Sequence, residues 1–227
     1  MVRRFVRFLF CSVFHLLFFL LSRVNVQGKE NIPSHGGYIA AANHLSVIEV
    51  PLVYCLLGRD DASGLVAKKH QKNTFFRWMV NGINGIWLNR EEIDTRALRA
   101  ARDHLKGGGV LGIAPEGTRS QTGALIKGKT GVAFLADQAG VPILPVGVSG
   151  TWQITKKILT LQRPRINVKF GAPFTFPPID RGERDTGLNR NTDEIMCRIA
   201  ALLPTENRGE YAEYPRVHEL LQSQEPA

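Results

Sequence analysis

Short apolar runs of strand length alternate along this chain with longer segments of helical character. Residues 38–42, 110–114 and 143–148 are apolar and partly β-branched, and they are near the length of buried strands. Continuous apolar strands that alternate with helices are typical of a parallel sheet with helices on both faces. The sequence therefore predicts an α/β domain with a mostly parallel central sheet flanked by helices.

The other predicted elements fit the same alternation. Three more strands are expected at residues 65–67, 86–88 and 166–170. Helices are expected at residues 47–57, 75–80, 95–106, 132–138 and 192–203. Asp94 is a candidate N-cap for the third of these helices, and the glycines after Lys106 end it. The alternation of strand and helix thus extends over most of the chain.

Length and composition fit one such domain. With 227 residues, 44% hydrophobic and 22% charged, the chain is long enough to bury a substantial core. An apolar N-terminus precedes the domain, and the polar residues after Thr205 predict an exposed tail. We therefore divide the chain into an N-terminal segment at residues 1–27, a globular domain at 28–204 and a C-terminal tail at 205–227.

The net charge and the cysteine spacing restrict the function less than the strand pattern restricts the fold. The formal net charge of +9 would attract nucleic acid, an anionic membrane or an anionic substrate, and it does not choose among them. Cys11, Cys55 and Cys197 are far apart in the sequence and show no C-x-x-C spacing. This spacing predicts neither a zinc site nor a disulfide framework, and it favours a reducing compartment.

The N-terminal segment has the pattern of a membrane anchor. Three arginines precede an apolar run at residues 8–21, and no convincing signal-peptide cleavage site follows it. A spanning helix needs about 20 apolar residues, so this run approaches the required length only when it is counted from Phe5. The sequence therefore predicts an uncleaved anchor and leaves open whether it spans the membrane.

Two polar segments follow predicted strands and contain the groups that acid–base chemistry needs. His44 and Glu49 come after the strand at residues 38–42, and Glu116 and Arg119 come after another buried strand. Ligands of parallel sheets gather outside the carboxyl ends of the strands. A neutral imidazole can deprotonate an alcohol, a carboxylate can fix its tautomer, and a guanidinium matches a phosphate. The segments therefore indicate activation of an alcohol beside an anion-binding group.

Four sequence blocks occur in a family-specific order. They are His44 with Glu49, residues 84–90 ending in Arg90, Glu-Gly-Thr-Arg at residues 116–119, and Val-Pro-Ile-Leu-Pro at residues 141–145. Over residues 28–171 the chain resembles the glycerophospholipid acyltransferase family, whose members include the bacterial 1-acyl-sn-glycerol-3-phosphate acyltransferases. The resemblance implies that residues 28–204 form an acyltransferase domain of the glycerol-3-phosphate acyltransferase-like fold.

The resemblance also implies a role for each residue of these blocks. His44 is the general base that activates the acceptor hydroxyl, and Glu49 is its carboxylate partner. The residues implied to bind the glycerol-phosphate part of the substrate are Arg90, Glu116, Gly117, Thr118 and Arg119. The charge of Glu116 has the wrong sign for a phosphate neighbour. We therefore expect Glu116 to accept hydrogen bonds from the glycerol hydroxyl, from Arg119 or from loop amides.

The implied reaction is direct acyl transfer from acyl-CoA or acyl-carrier protein to the free hydroxyl of lysophosphatidic acid, which forms phosphatidic acid. The expected partners are the lysophospholipid acceptor, the acyl donor and a membrane surface. No metal, cofactor or covalent intermediate is implied, because a thiolate is a good leaving group. Orientation of the substrates and oxyanion stabilisation would then supply much of the rate acceleration.

Two positions depart from the family's pattern. Glu49 stands where the family usually has Asp, which places one more methylene between backbone and carboxylate. Asn84 stands where a glycine is expected, and Gly85 follows it. The first change alters how His44 is held, and the second leaves a binding role for Gly85 undecided.

Glu49 also has a purely structural interpretation. Ser46 and Glu49 have the spacing of a capping box, in which Ser46 caps a helix and Glu49 accepts from the Ser46 backbone N–H. On the sequence alone, capping accounts for Glu49 about as well as catalysis does. Both roles are compatible, because a residue in the first helical turn can face the loop that carries His44.

Other functions stay open at this point. Glycerol 3-phosphate, a lyso-ornithine lipid or another alcohol could replace lysophosphatidic acid, since acceptor choice depends on pocket shape. A non-catalytic basic module that binds a membrane or nucleic acid would explain the charge. Such a module would not need His44, Glu49 and the block at residues 116–119 together, and no aromatic RNA-binding pattern is present. We therefore expect no nucleic-acid partner.

The reaction constrains the location of the protein. Basic residues before the apolar run favour a cytoplasmic N-terminus, so a full span would place the domain outside the cell. The thioester donors are cytoplasmic. We therefore expect residues 5–21 to lie in the cytoplasmic leaflet as a monotopic anchor, with basic residues near anionic headgroups.

Overall fold

A seven-stranded sheet forms the centre of this computed structural model, which describes residues 2–89, 92 and 94–223. The strands are β1 (Arg23–Gln27), β2 (Tyr38–Ala42), β3 (Ala62–Ala67), β4 (Ile86–Leu88), β5 (Val110–Ile113), β6 (Ile143–Ser149) and β7 (Arg165–Phe170). Their order across the sheet is β1-β7-β6-β2-β5-β3-β4. Paired strands in this sheet are parallel except β6 with β7, which are antiparallel. The prediction of a mostly parallel sheet is confirmed.

Helices cover both faces of the sheet. They are α1 (Val2–Leu21), α2 (Glu49–Leu56), α3 (Thr74–Gly82), α4 (Thr95–Lys106), α5 (Gly131–Ala139), α6 (Ile154–Leu159), α7 (Arg184–Ala201) and α8 (Pro215–Gln222). Successive strand residues point to opposite faces, so Ile39 packs with α4, α5 and α7, whereas Tyr38 packs with α1, α2 and α6. The sheet therefore separates two hydrophobic clusters.

Helix α4 has the boundaries that the sequence predicts. Asp94 Oδ1 accepts a hydrogen bond of 3.0 Å from Ala97 N, and the helix ends at Lys106 before Gly107. Helix α7 instead begins at Arg184, well before the predicted start at residue 192. Its first turns bury Leu188 and expose mostly polar residues. The polar residues at the start of α7, because of which its first turns were not predicted, form the solvent-exposed face of an amphipathic helix.

The C-terminal residues are not the exposed tail that the sequence predicted. Residues 205–223 form two short 3-10 helices and α8, and they bury Tyr211 and Val217 in the cluster beneath α5 and α7. Tyr211 Oη accepts a 3.0 Å hydrogen bond from Gly128 N. A few apolar side chains in a mostly polar segment are sufficient to dock it on the domain. Residues 224–227 lie outside the described residues.

The N-terminal segment is joined to the domain more closely than predicted. Strand β1, which we grouped with the anchor, pairs in parallel with β7 along its whole length. Helix α1 packs along α2 and α3, and Phe10 is buried against Tyr54 with their rings edge to face. In the described part of the chain, α1 alone is long and apolar enough to cross a membrane by length and composition. The apolar helix α1 thus ends at Leu21, and the sheet begins at Arg23.

The prediction of no disulfide is wrong for two of the three cysteines. Cys11 of α1 and Cys55 of α2 form a disulfide, with their Cα atoms 5.4 Å apart, within the usual range for such bonds. The third cysteine, Cys197, is free and buried. Separation in the sequence does not report separation in space when two helices pack side by side. The inference of a reducing compartment therefore loses its basis.

Candidate active site

His44 and Glu49 lie at the carboxyl end of β2, where the chain turns into α2. His44 Nδ1 is 3.1 Å from Glu49 Oε2. The Glu49 carboxylate is buried, whereas 18% of the His44 side chain is exposed. No described residue makes a hydrogen bond to His44 Nε2. A carboxylate on Nδ1 favours the tautomer with its proton there, so the lone pair of Nε2 faces the open side of the site.

The contacts of Glu49 do not form the capping box. Helix α2 begins at Glu49 itself, and neither Ser46 nor another side chain caps its N-terminus. Glu49 Oε2 accepts from Leu45 N at 2.8 Å as well as lying against the imidazole. The extra methylene of glutamate allows the carboxylate to reach back over the loop that carries His44. The structure thus brings Glu49 to His44 and to the loop backbone.

Thr151 completes the surroundings of Glu49, and the sequence analysis missed it. The fully buried Thr151 Oγ1 donates a hydrogen bond to Glu49 Oε1, the oxygen that faces away from His44. Thr151 follows β6 after Gly150, whose φ of 85° suits a residue without a β-carbon. The rule that ligands gather after the carboxyl ends of strands would have included Thr151. Both oxygens of Glu49 are therefore fixed by the protein.

Asn43 fixes the backbone immediately before His44. Its side chain donates to Val148 O at 2.8 Å and accepts from Val148 N at 2.7 Å. These two bonds continue the pairing of β2 with β6 by one residue beyond the strand. Asn43 is buried, and no sequence pattern distinguishes it from other loop asparagines. The position of His44 therefore depends on the end of β6 as well as on β2.

Glu116 lies beneath the His44 loop with its carboxylate buried. Glu116 Oε1 accepts from His44 N at 2.7 Å, and Oε2 accepts from Ile126 N at 3.1 Å. Burial raises the pKa of Glu116 to about 7, and the nearby charge of Glu49 adds to the increase. A carboxyl group with such a pKa carries less negative charge near neutral pH and repels an anionic substrate less. The contacts of Glu116 are those expected for a residue that binds loop amides.

The loop after β5 presents the remaining residues of the block at residues 116–119. Gly117 has a φ of 69°, which favours glycine, and Thr118 and Arg119 are exposed. The next residue, Ser120, donates its backbone N–H to His44 O at 2.8 Å. Among the described residues, Arg119 has no hydrogen bond or ion pair. Its guanidinium is therefore free to bind an anion beside the histidine loop.

Lys129 adds a second cation to this loop. A β-carbon placed on Gly117 would lie 3.0 Å from Lys129 Cδ and 3.4 Å from its Nζ, so the exposed lysine side chain lies over the glycine. Lys129 N also donates to Pro115 O at 2.8 Å. No signal in the sequence distinguishes this lysine from other loop lysines. Arg119 and Lys129 thus place two exposed cations on the loop that contacts the His44 backbone.

Comparisons with known proteins show the family of this chain. The family model described as Acyltransferase matches residues 23–149, which is more than half of the chain. The chain belongs to the acyltransferase family. The matched region begins at β1 and ends with β6, so it contains His44, Glu49 and the block at residues 116–119.

Several curated proteins are similar to this acyltransferase. A 1-acyl-sn-glycerol-3-phosphate acyltransferase of Cocos nucifera is 29% identical over 70% of this chain and 52% of its own length. The Saccharomyces cerevisiae protein of that name is 35% identical over 56% of this chain and 43% of its own length. The Bacillus subtilis protein of that name is 23% identical over 62% of this chain and 70% of its own length. The chain thus spans about half the length of the first two relatives.

A solved structure is similar over most of both chains. It is the crystal structure of the 1-acyl-sn-glycerophosphate (LPA) acyltransferase PlsC from Thermotoga maritima. The TM-score is 0.63 and the identity 26%, with 84% of this chain and 78% of that chain covered. The α/β architecture is therefore that of a known acyltransferase fold.

The structure of this acyltransferase describes residues 84–89 of the sequence block that ends in Arg90. Arg90 lies outside the described residues. Asn84 has a φ of 53°, in the left-handed region that asparagine tolerates better than most residues other than glycine. A β-carbon on Gly85 would come within 2.6 Å of Val80 Cγ1. Gly85 is therefore required by the packing at the end of α3, which is a structural reason for the displaced glycine.

Among the described residues, no group of three or more His, Cys, Asp or Glu side chains could hold a metal ion. The His44 imidazole is partly exposed, and Arg119 and Lys129 are exposed on the loop that contacts the His44 backbone. These groups can remove a proton and bind an anion.

Replacing Thr151 with valine tests whether its hydroxyl positions Glu49. Valine keeps the shape but leaves Glu49 Oε1 without its donor, so we expect kcat to fall about tenfold, the value of one hydrogen bond to a charged group. Thr151→Ser keeps the hydroxyl and should retain most of the activity. Initial acyl-transfer rates at saturating substrates measure both. Equal losses in the two variants would show that the methyl group and not the hydrogen bond matters.

Proposed function

We propose that this acyltransferase transfers an acyl group from a thioester donor to the free hydroxyl of lysophosphatidic acid, forming phosphatidic acid. The observation that carries the proposal is the contact of His44 Nδ1 with the buried Glu49 carboxylate, beside a loop that exposes Arg119. The names of the similar proteins from Cocos nucifera, Saccharomyces cerevisiae and Thermotoga maritima support the choice of acceptor.

In this mechanism His44 is the general base. Its Nε2 takes the proton from the acceptor hydroxyl as the oxygen attacks the carbonyl carbon of the thioester. The tetrahedral intermediate then collapses, the C–S bond breaks, and the leaving thiolate receives the proton from the imidazolium. Glu49 stabilises the imidazolium between these steps, and Thr151 and Leu45 N prevent the carboxylate from turning away. The donor is acyl-CoA or acyl-carrier protein.

The bound phosphate orients the acceptor. Arg119 and Lys129 lie on the loop whose Ser120 N–H contacts the backbone of His44. An acceptor whose phosphate contacts this loop brings its hydroxyl close to the imidazole, and this proximity accounts for part of the rate. Thr118, Gly117 and Arg90 belong to the same proposed substrate-binding set. In the proposal, Glu116 serves this set indirectly by fixing the two loops.

The N-terminal helix favours a lipid acceptor. Helix α1 packs on α2 and α3 with one face and exposes Phe5, Phe8 and Phe19 on the other. A helix held along the domain in this way suits an in-plane anchor better than a span. A monotopic position on the cytoplasmic leaflet gives the site access to a lysophospholipid in the membrane and to thioesters in the cytoplasm. Residues 5–21 are the proposed anchor.

A panel of acceptors tests the proposed function. Purified full-length protein in anionic vesicles is given acyl-CoA or acyl-carrier protein with lysophosphatidic acid, monoacylglycerol, glycerol 3-phosphate or a lyso-ornithine lipid. We expect the largest kcat/KM for lysophosphatidic acid and a low value for monoacylglycerol, which lacks the phosphate. A larger kcat/KM for glycerol 3-phosphate or the lyso-ornithine lipid would reject the proposed acceptor.

Replacing Arg119 with alanine tests the proposed phosphate contact. The loss of a charge-assisted hydrogen bond is expected to raise KM for lysophosphatidic acid about tenfold to a hundredfold, with a smaller effect on kcat. Arg119→Lys keeps the charge but not the bidentate geometry and should be intermediate. Arg99→Ala, which removes an exposed arginine of α4, is the matched control. An unchanged KM in Arg119→Ala would remove this residue from the acceptor site.

A further inference from the structure

Two leucines at the end of α6 are almost completely exposed. The exposed fraction is 78% for Leu159 and 94% for Leu161. Both belong to the segment that leads from the active-site residue Thr151 through α6 to β7. Single exposed leucines are common on soluble proteins, so exposure alone would carry little weight. The backbone at Leu161 supplies the second observation.

Leu161 occupies a position that normally contains glycine. Its N–H donates to Ile158 O at 2.9 Å, and the next N–H, of Gln162, donates to Lys157 O at 3.0 Å. These bonds form a Schellman motif, in which the residue after the C-cap adopts a left-handed conformation. Leu161 has a φ of 56°, where a leucine is strained and a glycine or asparagine is not. The chain thus places its most exposed leucine where both solvent and backbone disfavour it.

The segment that carries these leucines contacts the end of α1. Ile154 and Ile158, on the buried side of α6, pack in the cluster that includes Phe14 and Phe18 of α1. Arg163 Nη2 donates to Phe19 O at 2.6 Å, at the end of α1. Near this end, α1 exposes Leu16, Phe19 and Leu20. Leu159 and Leu161 therefore lie on the same side of the sheet as α1, within four residues of the contact between Arg163 and Phe19.

The charges around the leucines have one sign. Residues 150–165 contain Lys156, Lys157, Arg163 and Arg165 and no acidic residue. Lys156 is exposed one turn before the end of α6, and Lys157 is half-buried. A segment that binds an anionic lipid surface typically inserts apolar side chains into the membrane and holds basic residues at the level of the headgroups. The same charges would oppose contact with another basic surface.

We propose that Leu159 and Leu161 form a second membrane contact, which enters the same anionic leaflet as α1 while Lys156 and Lys157 bind lipid phosphates. The proposal rests on the membrane position proposed for α1 and does not require the acyl-transfer reaction. Two attachments prevent the domain from rotating about α1. Because α6 follows Thr151 directly, the second attachment also fixes the height of the active site above the lipid surface.

The first experiment locates residue 161 in the presence of a membrane. Leu161→Cys in the full chain is labelled with an environment-sensitive fluorophore, and Ala100→Cys, exposed on α4 on the opposite face of the sheet, is the control. Vesicles contain phosphatidylcholine with phosphatidylglycerol, and quenching by doxyl-labelled lipids reports depth. We expect a several-fold rise in emission and quenching only at position 161. A label at 161 that stays in water while the protein is bound to vesicles would overturn the proposal.

The second experiment separates membrane binding from folding. Leu161→Asn removes the apolar side chain and relaxes the left-handed turn, so Tm should stay the same or rise. We expect the affinity for anionic vesicles to fall about tenfold, which corresponds to the loss of one buried leucine side chain. Lys156→Gln with Lys157→Gln should reduce the preference for phosphatidylglycerol over phosphatidylcholine vesicles. Unchanged affinity for vesicles in Leu161→Asn would contradict the proposal. A wild-type protein that sediments as a dimer, and that becomes monomeric only in Leu161→Asn, would also contradict it, because the surface would then bind a second copy of the chain.

Discussion

Replacing His44 with alanine is expected to lower kcat for acyl transfer about 100- to 10,000-fold, the range that a general base contributes. The imidazole is the only group placed to take the proton of the acceptor hydroxyl in the proposed mechanism. The fold should survive, because His44 contacts the rest of the loops through its backbone. Its N–H donates to Glu116 and its carbonyl accepts from Ser120, and both bonds persist in alanine. Steady-state rates with saturating lysophosphatidic acid measure the loss.

His218→Ala is a suitable control for that variant. His218 is exposed on α8, among the elements that pack on the face of the sheet away from α1 and α2. We expect it to have wild-type kcat, and we expect both variants to have wild-type Tm. Binding of lysophosphatidic acid should also persist in His44→Ala, since the proposed phosphate contact is made by Arg119. A His44→Ala protein with wild-type kcat would eliminate the proposed base.

Replacing Glu49 with glutamine is expected to lower kcat about 100-fold or more. The amide has nearly the same shape, but it carries no charge to stabilise the imidazolium. It also has one acceptor oxygen, whereas the carboxylate has two. In the serine-protease triad, the corresponding amide substitution costs a comparable or larger factor, because the histidine takes the wrong tautomer. Glu49→Asp keeps the charge at a shorter reach and should lose less activity. Rates for both variants are compared at one saturating pair of substrates.

Two further measurements separate catalysis from structure for Glu49. Burial of Glu49 and its contact with Leu45 N mean that either substitution is expected to lower Tm. The catalytic role predicts that glutamine reduces kcat more than aspartate does, whatever the order of their Tm values. The double variant Glu49→Gln with Thr151→Val should be little slower than Glu49→Gln alone, since Thr151 acts through the carboxylate. Equal kcat values with lowered Tm would reduce Glu49 to a structural residue.

The sheet could be predicted from the sequence where its strands are continuously apolar. Strands β2 and β6 are buried on both faces along most of their length, and β5 is buried in its first half. Such strands are recognisable without knowing what they pair with. Strand β1 was missed because it lies at the edge of the sheet. Its residues alternate between exposed and half-buried, and Arg23, Asn25 and Gln27 resemble a polar linker. An edge strand of five residues becomes evident only when its partner β7 is known.

The site was predictable only as far as its groups recur in sequence blocks. His44, Glu49, Glu116 and Arg119 could be selected from their positions after strands and from their order along the chain. Thr151 could not be assigned to Glu49, because its hydrogen bond joins residues that are 102 positions apart. The same limit applies to the disulfide of Cys11 with Cys55. Contacts between elements depend on how the helices pack, and the local sequence does not specify this.

The choice between capping and catalysis for Glu49 shows a different limit. Both interpretations use the same short segment, and both need a carboxylate in the first turn of a helix. The side-chain length excludes the capping box, because glutamate reaches past Ser46 to the imidazole of His44 and to Leu45 N. A rotamer of this kind depends on the hydroxyl of Thr151 on the far side. The decisive residue therefore lies outside the segment that raised the question.

The central claim is tested most directly by following both products of one reaction. Purified protein in anionic vesicles is mixed with lysophosphatidic acid and an acyl thioester, and phosphatidic acid and the free thiol are measured together. We expect the wild-type protein to release them in equal amounts and His44→Ala to release neither above background. Thiol release without phosphatidic acid, or the same rate of phosphatidic acid formation in His44→Ala, would contradict transfer by a His44 base.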